Sequence, residues 1–181
     1  MSDREILDGL IRGDADAAAG LVDQYGDRLL RSAFALCGNA SDAQDLAQET
    51  LLQAVKSAHR CRGTSSIYTW LHGILLNVTH RFFRKQKRLT YMEEVPEQSA
   101  PEPAAGTGLD TDVTSATVLQ ALDALSYPHR EVIVLRYFEE LPVCEIAEQV
   151  KVTQGTVKSR IHYALRRLRE LVSEELNDFT S

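Results

Sequence analysis

The stretch PVCEIAEQVKVTQGTVKSRIHYALRRLRE, residues 142–170, predicts a short helix, a tight turn and a longer helix. In the short helix, Ile146 and Val150 are apolar and lie about one helical turn apart. Ala147 between them is small enough for a second helix to cross there. Thr153 is of a residue type that commonly caps the start of a helix. This succession is the sequence pattern of a helix-turn-helix.

The longer helix of this motif has an apolar face and a polar face. At about 100° per residue, the apolar stripe carries Val157, Ile161, Ala164, Leu165, Leu168, Leu171 and Val172. The opposite face carries Gly155, Ser159, His162, Tyr163 and Arg166, with Lys158 and Arg160 at its two sides. Small residues permit close approach to the major groove of DNA, and flanking cations can reach phosphates on both walls. A charged helix that only closes a small helical domain is the alternative, which the preceding turn makes less attractive.

Lys151 stands at the turn position that glycine often fills in such motifs. A residue other than glycine in the left-handed conformation costs about 1 kcal/mol. We therefore expect either a variant turn or a core that absorbs this cost.

The charge of the chain is unevenly distributed. The 181 residues carry a formal net charge of −6, which argues against a general nucleic-acid binder. Residues 59–90 nevertheless contain seven bases and no acid, and residues 151–169 contain six bases and no acid. Between them, residues 91–128 contain seven acids and no base. The two basic islands are compatible with contacts to phosphate, although clustering on solvated faces is the alternative.

Helical periodicity dominates the chain, so the predicted fold class is all-α, with two small helical domains. Residues 91–113 contain three prolines and two glycines without a sustained apolar period, which indicates a flexible acidic linker. This linker separates a domain at 1–90 from a domain at 114–176. The predicted helices lie near 3–12, 14–37, 42–58, 66–88, 115–125, 128–139, 142–149 and 153–172.

Several functional classes find no support in the sequence. No run of about eighteen apolar residues exists, so we expect neither a transmembrane helix nor direct membrane insertion. The acidic N-terminus is unlike a secretory signal, and we expect a cytoplasmic location. Cys37, Cys61 and Cys144 are odd in number and far apart, which is unlike a zinc or disulfide framework, so we expect buried small hydrophobes. We expect no cofactor, no metal site and no catalytic residue, because no cluster has the necessary spacing.

The predicted helix at 66–88 combines an apolar side with a polar and basic side. Asn is unfavourable in the middle of a helix, so Asn77 suggests contact with a base edge, although a solvated polar face is the alternative. The helix ends in RFFRKQKR, a candidate phosphate-binding segment. Tyr68 and Trp70 near its start offer surfaces against which unstacked bases could lie, although Trp70 is a better candidate for the core.

The predicted helix at 42–58 differs in kind. Its buried stripe is expected to consist of Ala43, Leu46, Ala47, Thr50, Leu51 and Ala54. Asp45, Gln48, Glu49 and Leu52 then lie together outside. An exposed leucine surrounded by acids and amides suggests docking of a basic protein helix, whereas a plain amphipathic helix is the alternative.

Taken together, these segments resemble the sigma-70 family of bacterial transcription initiation factors, specifically its extracytoplasmic-function (ECF) group. DAQDLAQETLLQAVKS, residues 42–57, is similar to region 2.2 of that family. RGTSSIYTWLHGILLNVTHRFFRKQKR, residues 62–88, is similar to regions 2.3–2.4. EVIVLRYFEELPVCEIAEQVKVTQGTVKSRIHYALRRLRE, residues 131–170, is similar to region 4. The order and separation of the three segments make the resemblance specific.

The resemblance implies partners and a site for each. Core RNA polymerase would bind through the clamp helices of its β′ subunit to Asp42, Asp45, Gln48, Glu49 and Leu52. The −10 element of promoter DNA would contact Arg62, Tyr68, Asn77, His80, Arg81, Arg84 and Lys85, with a flipped base held in the loop near residues 60–68. The −35 element would contact Thr153, Thr156, Lys158, Ser159, Arg160, His162 and Arg166. The second domain would also touch the β-flap, the linker would follow the RNA channel of the polymerase, and an anti-sigma factor would hold the protein inactive.

Three positions depart from the usual pattern of the family. Cys61 stands where many relatives have an aromatic residue, His80 often corresponds to an aspartate, and Tyr163 replaces a frequent arginine.

Two other hypotheses compete with the resemblance. A stand-alone helix-turn-helix regulator would bind duplex DNA tightly without polymerase, and a helical interaction protein would show no salt-dependent DNA binding.

Overall fold

A computed structural model describes residues 1–61, 66–93 and 113–178, and within these ranges it gives the side chains of residues 1–61, 66–86 and 118–171. The described chain is helical and contains no strand. Its helices are α1 (Asp3–Arg12), α2 (Ala15–Cys37), α3 (Ala40–Ser57), α4 (Ile67–Glu93), α5 (Val113–Asp123), α6 (Tyr127–Ile133), α7 (Val143–Val150) and α8 (Gln154–Asp178). A 3₁₀ turn at Ala58–Arg60 follows α3. The all-α prediction is confirmed.

The observed helices begin within two residues of the predicted starts, but α4 and α8 end five and six residues later than predicted. The predicted helix at 128–139 is divided, because α6 ends at Ile133 and a π-helical turn occupies Val134–Phe138. The N–H of Glu139 donates to the Val134 carbonyl at 3.1 Å, five residues back along the chain, which is the hydrogen bond of a π-helix. At the predicted linker, α4 extends to Glu93 and α5 begins at Val113. The rest of that segment lies outside the described residues.

The contacts between Cα atoms divide the chain into two units. Of the described helices, the first unit holds α1, α3, α4 and α2 as far as Ala33. The second unit holds α5 to α8 and the segment Phe34–Ala40. The predicted domain limits of 1–90, 91–113 and 114–176 stay predictions.

The first unit begins with helices whose ends are defined by local hydrogen bonds. The Ser2 hydroxyl accepts a bond from Glu5 N–H at 3.3 Å, and the Glu5 carboxylate accepts one from Ser2 N–H at 2.7 Å, which together form a capping box. At the other end of α1, Gly13 adopts a left-handed conformation with φ 76°. A Cβ on Gly9 would overlap the Cβ of Ala17, so α1 and α2 approach too closely there for any larger residue.

The core of the first unit is built from aliphatic side chains of all its helices. Its fully or almost fully buried members include Ile6, Leu10, Leu21, Leu29, Leu46, Leu71, Leu75 and Leu76. Two threonines are also buried, and the hydroxyl group of each is hydrogen-bonded. Thr50 donates to the Leu46 carbonyl at 2.7 Å, and Thr79 donates to the Leu75 carbonyl at 2.8 Å. Each bond lets a polar side chain occupy the apolar side of a helix.

The core of the second unit joins α8 to the helices that precede the turn. Leu122, Leu125, Ile133 and Ala164 form its buried centre, and Leu119, Ile161, Leu165 and Leu168 pack against them. Ile146 of α7 and Val157 of α8 are each completely buried. This packing holds α8 by its apolar stripe, which leaves the polar face outward.

Candidate nucleic-acid and polymerase interfaces

The turn between α7 and α8 has the conformation that the sequence pattern requires. Lys151 adopts φ 56° and ψ 45°, the left-handed region, and its side chain is exposed. The N–H of Val152 donates to the Ala147 carbonyl at 3.1 Å, which closes the end of α7. The N–H of Thr156 donates to the Thr153 hydroxyl at 3.2 Å, so Thr153 caps α8 as predicted. The turn is therefore of the ordinary type, with a lysine in the position that favours glycine.

The orientation predicted for α8 is observed. Val157 and Ala164 are completely buried on one side. The exposed residues of the other side are Gly155, Lys158, Ser159, His162, Tyr163 and Arg166, whereas Arg160 is half-buried. Three hydroxyl groups at the start of this face already have partners within the helix. The Thr153 and Thr156 hydroxyls lie 2.9 Å apart, and the Ser159 hydroxyl donates to the Thr156 carbonyl at 3.0 Å.

The cations of this face differ in how they are compensated. Arg167 pairs with Glu170, one helical turn away, at 3.1 Å. Lys158, Arg160 and Arg166 have no carboxylate within ion-pair distance among the side chains that the structure describes. Free cations around a small-residue helix start are the arrangement that binds phosphates on both sides of a groove.

A histidine that the sequence pattern did not single out borders the same face. His129 of α6 lies with its ring centroid 4.5 Å from that of Tyr163. Its Nδ1 lies 2.7 Å from the Ser126 hydroxyl oxygen. Burial, and then the positive charge of Arg160, lowers the pKa of His129 from its ordinary value. The contact joins residues far apart in sequence, so local periodicity carries no signal for it.

The polar face of α4 presents the residues predicted to contact the −10 element. Asn77, Arg81, Arg84 and Lys85 are exposed, and His80 is half-buried. The Asn77 side-chain amide donates to the Gly73 carbonyl at 2.8 Å, which satisfies one of its N–H groups. Arg62, also predicted here, lies outside the described residues.

The prediction that Tyr68 offers an exposed surface for a base is wrong for this conformation. Tyr68 is only 8% exposed, and its ring stacks on Tyr25 with centroids 5.9 Å apart. Its hydroxyl lies 3.3 Å from that of Ser32. The guanidinium of Arg28 covers the Tyr68 ring at 3.7 Å. Trp70, expected in the core, is only half-buried, so that expectation is wrong as well.

The outer face of α3 presents the residues predicted to contact polymerase. Asp45, Gln48 and Glu49 are exposed, Leu52 is 54% exposed, and Asp42 is half-buried. Ala43, Leu46, Ala47, Thr50 and Ala54 are buried as predicted, whereas Leu51 is half-buried. The Gln53 amide donates to the Glu49 carboxylate at 2.6 Å, which orders part of this face.

The described residues offer neither a membrane-spanning helix nor a metal site. No helix there is long and apolar enough to cross a membrane. No group of three or more potential ligands could hold a metal ion in the described part of the chain. All three cysteines are reduced thiols, and Cys37 and Cys61 are half-buried. The Cys37 thiol donates to the Asn39 carbonyl at 3.3 Å. Cys144 is exposed, so the expectation that all three are buried was wrong: its place in the first turn of α7 faces solvent.

Comparisons with known proteins agree with this geometry. A family model described as sigma-70 region 2 matches residues 21–89, and one described as sigma-70 region 4 matches residues 121–170. The chain belongs to the sigma-70 family. The first match contains α3 and most of α4, and the second contains the helix-turn-helix. Members of this family are transcription initiation factors that bind core RNA polymerase and promoter DNA.

Curated relatives place the chain in the ECF group of the sigma-70 family. ECF RNA polymerase sigma factor SigW of Bacillus subtilis is 33% identical over 181 residues, covering 92% of each chain. RNA polymerase sigma factor SigV of the same organism is 34% identical over 148 residues, covering 81% of this chain and 86% of that protein. A solved structure of the sigma factor RpoE of Bartonella quintana, in complex with the anti-sigma factor NepR, is 28% identical. It aligns with a TM-score of 0.69 and covers 86% of this chain and 96% of that one.

Proposed function

We propose that this ECF sigma factor holds core RNA polymerase through the outer face of α3 and reads promoter DNA with α4 and α8. The observation that carries the proposal is the left-handed turn at Lys151 followed by a helix with a buried apolar stripe and uncompensated exposed cations. This is the geometry of a helix that enters a major groove. A stand-alone regulator is not favoured, because the region 2 match lies in the same chain.

At the −35 element, α8 would contact duplex DNA from its first three turns. Lys158 and Arg160 lie on the two sides of the exposed face, which suits contacts with phosphates on both strands. Ser159 and His162 lie between them, where they can approach base edges. Thr153 and Thr156 would act mainly by ordering the helix start, since their hydroxyls bond to one another.

At the −10 element, the exposed face of α4 would follow the DNA strand. Arg81, Arg84 and Lys85 would contact its backbone, because cations in a row track phosphates. Asn77 would contact a base through its side-chain carbonyl oxygen, or through its amide N–H groups after release from Gly73. His80 lies half-buried beside these residues. The base-holding loop near residues 60–68 remains part of the proposal, without Tyr68 as an exposed stacking surface.

At the polymerase, the exposed leucine of α3 would be the apolar centre of a contact with the β′ clamp helices. Asp45, Gln48 and Glu49 surround Leu52 and would meet basic or polar groups at the rim. Asp42 is less accessible and would contribute at the edge. The second unit would also contact the β-flap, and the intervening acidic segment would follow the RNA channel.

Regulation by an anti-sigma factor belongs to the same proposal. The Bartonella sigma factor is a structural neighbour over most of the chain, and it was solved bound to its anti-sigma factor. An antagonist that covers α3 or α8 would prevent the contacts described above. The protein would act in the cytoplasm, where the polymerase is, without a cofactor and without catalytic chemistry of its own.

The proposal is tested by mixing the purified chain with core RNA polymerase on a genomic promoter library and sequencing the transcripts. We expect initiation at a set of promoters that share −10 and −35 elements and that core enzyme alone does not use. If the chain binds duplex DNA tightly by itself and leaves the specificity of core enzyme unchanged, the protein is a stand-alone regulator.

A further inference from the structure

An aromatic contact links α6 to the exposed face of α8. The rings of His129 and Tyr163 are 4.5 Å apart between centroids and inclined by 34°, within the range of favourable aromatic pairs. His129 is also held through Nδ1, 2.7 Å from the Ser126 hydroxyl. Tyr163 is 45% exposed, so its ring packs against His129 and still reaches solvent. None of the motifs of the sequence includes His129.

Tyr163 in turn lies under an arginine. The Arg166 guanidinium carbon is 5.3 Å from the Tyr163 ring centroid, within the distance of about 6 Å at which cations are attracted to aromatic faces. The neighbouring Arg167 is engaged differently, by an ion pair with Glu170 at 3.1 Å. Arg166 is exposed and carries no such pair among the described side chains. Its charge is therefore oriented by an aromatic ring and remains available to an anion.

We propose that His129 is a positioning residue for −35 recognition, which fixes the Tyr163 ring so that the ring holds Arg166 ready for a DNA phosphate. This inference rests on the proposed function of α8. A free arginine loses rotamer freedom when it binds, and a guanidinium already held on a ring loses less. The arrangement also gives a role to Tyr163, because its ring orients a cation that lies about one helical turn later on α8.

The inference is tested with the full-length protein assembled into holoenzyme. The affinity for a fluorescent promoter duplex is measured at salt concentrations from about 0.05 to 0.3 M. In this range, each phosphate contact contributes about 0.9 to the slope of log affinity against log salt concentration. The variants are Arg166→Ala, Tyr163→Ala, His129→Ala, His129→Phe and the double variant of His129→Ala with Arg166→Ala. Arg167→Ala is the matched control, because it removes a neighbouring arginine that is already paired with Glu170.

We expect Arg166→Ala to lower affinity about five-fold at 0.15 M salt and to reduce the salt slope by about 0.9. His129→Ala should lower affinity about three-fold, and Tyr163→Ala should do at least as much. His129→Phe should restore most of the affinity, because the ring contact survives although the bond to Ser126 does not. In the Arg166→Ala background, His129→Ala should have no further effect, and Arg167→Ala should leave binding unchanged.

Two results would overturn the positioning role. One is wild-type affinity for His129→Ala, and the other is an equal loss whether or not Arg166 is present, which would mean that His129 only supports the fold. Thermal melting of each variant identifies any that is unfolded. If His129→Ala is unfolded, the affinity of His129→Phe is compared with that of the wild type instead. If wild-type holoenzyme binds equally well to a duplex with a scrambled −35 element, the proposed function of α8 fails instead.

Discussion

Replacing Leu52 by aspartate should separate polymerase binding from every other property of the protein. Leu52 is 54% exposed on α3, so the change removes little from the core, and we expect the free energy of unfolding to fall by less than about 1 kcal/mol. Complete burial of a leucine contributes about 1.5–3 kcal/mol, and the exposed half of Leu52 therefore offers roughly 0.8–1.6 kcal/mol to a partner.

A carboxylate at the same place adds a second cost. Burying an unpaired polar group costs about 1–3 kcal/mol, and more when it is charged. The two contributions together weaken the dissociation constant for core polymerase by about 100-fold, since about 1.4 kcal/mol corresponds to a factor of ten. Leu52→Ala removes only the apolar contribution and should weaken binding by about four- to fifteen-fold.

The assay is fluorescence anisotropy of the labelled chain titrated with core RNA polymerase. Val22→Asp is the matched control, because Val22 is 48% exposed on α2, in the same unit, but lies outside the proposed docking face. Both aspartate variants should keep the melting temperature of the wild type to within a few degrees. If Leu52→Asp binds core polymerase as tightly as Val22→Asp does, the docking surface on α3 is wrong.

Three further changes test the other elements. Asn77→Ala should weaken use of the −10 element in run-off transcription without altering affinity for core polymerase; equal transcription from a cognate promoter would contradict the role of its amide. Alanine at both Lys158 and Arg160 should flatten the salt slope of −35 binding by about 2, whereas an unaltered slope would show that neither side chain reaches phosphate. Lys151→Gly should raise the free energy of unfolding of the second unit by about 0.5–1 kcal/mol, and a destabilised variant would mean that the lysine side chain contributes in another way.

Helix positions could be predicted from sequence because the apolar period is strong and the caps are local. Thr153 and Lys151 illustrate this, since a cap and a left-handed turn each depend on a few neighbouring residues. The sequence predicts one helix at 128–139, whereas the structure has α6 followed by a π-helical turn at Val134–Phe138. Such a turn has no local sequence signature comparable to a helix cap.

The burial of Tyr68 had a signal that the prediction overlooked. Tyr68 precedes Leu71 by three residues and Leu75 by seven, which places it on the buried side of α4. His72 and Thr79 are buried on the same helix, so its buried side includes polar residues as well as aliphatic ones. The contact between His129 and Tyr163 had no such signal in the sequence. The two residues are 34 positions apart and meet only when α6 packs against α8.

The measurement that tests the central claim most directly is reconstituted run-off transcription with core RNA polymerase and the purified chain. On a promoter selected from a genomic library, we predict transcript from the wild type that depends on both the −10 and the −35 element. Scrambling either element, or introducing Leu52→Asp, should reduce it at least ten-fold, in line with the cost of about 1–3 kcal/mol for a mismatched base pair. Transcription that is independent of the added chain on every promoter would contradict the account.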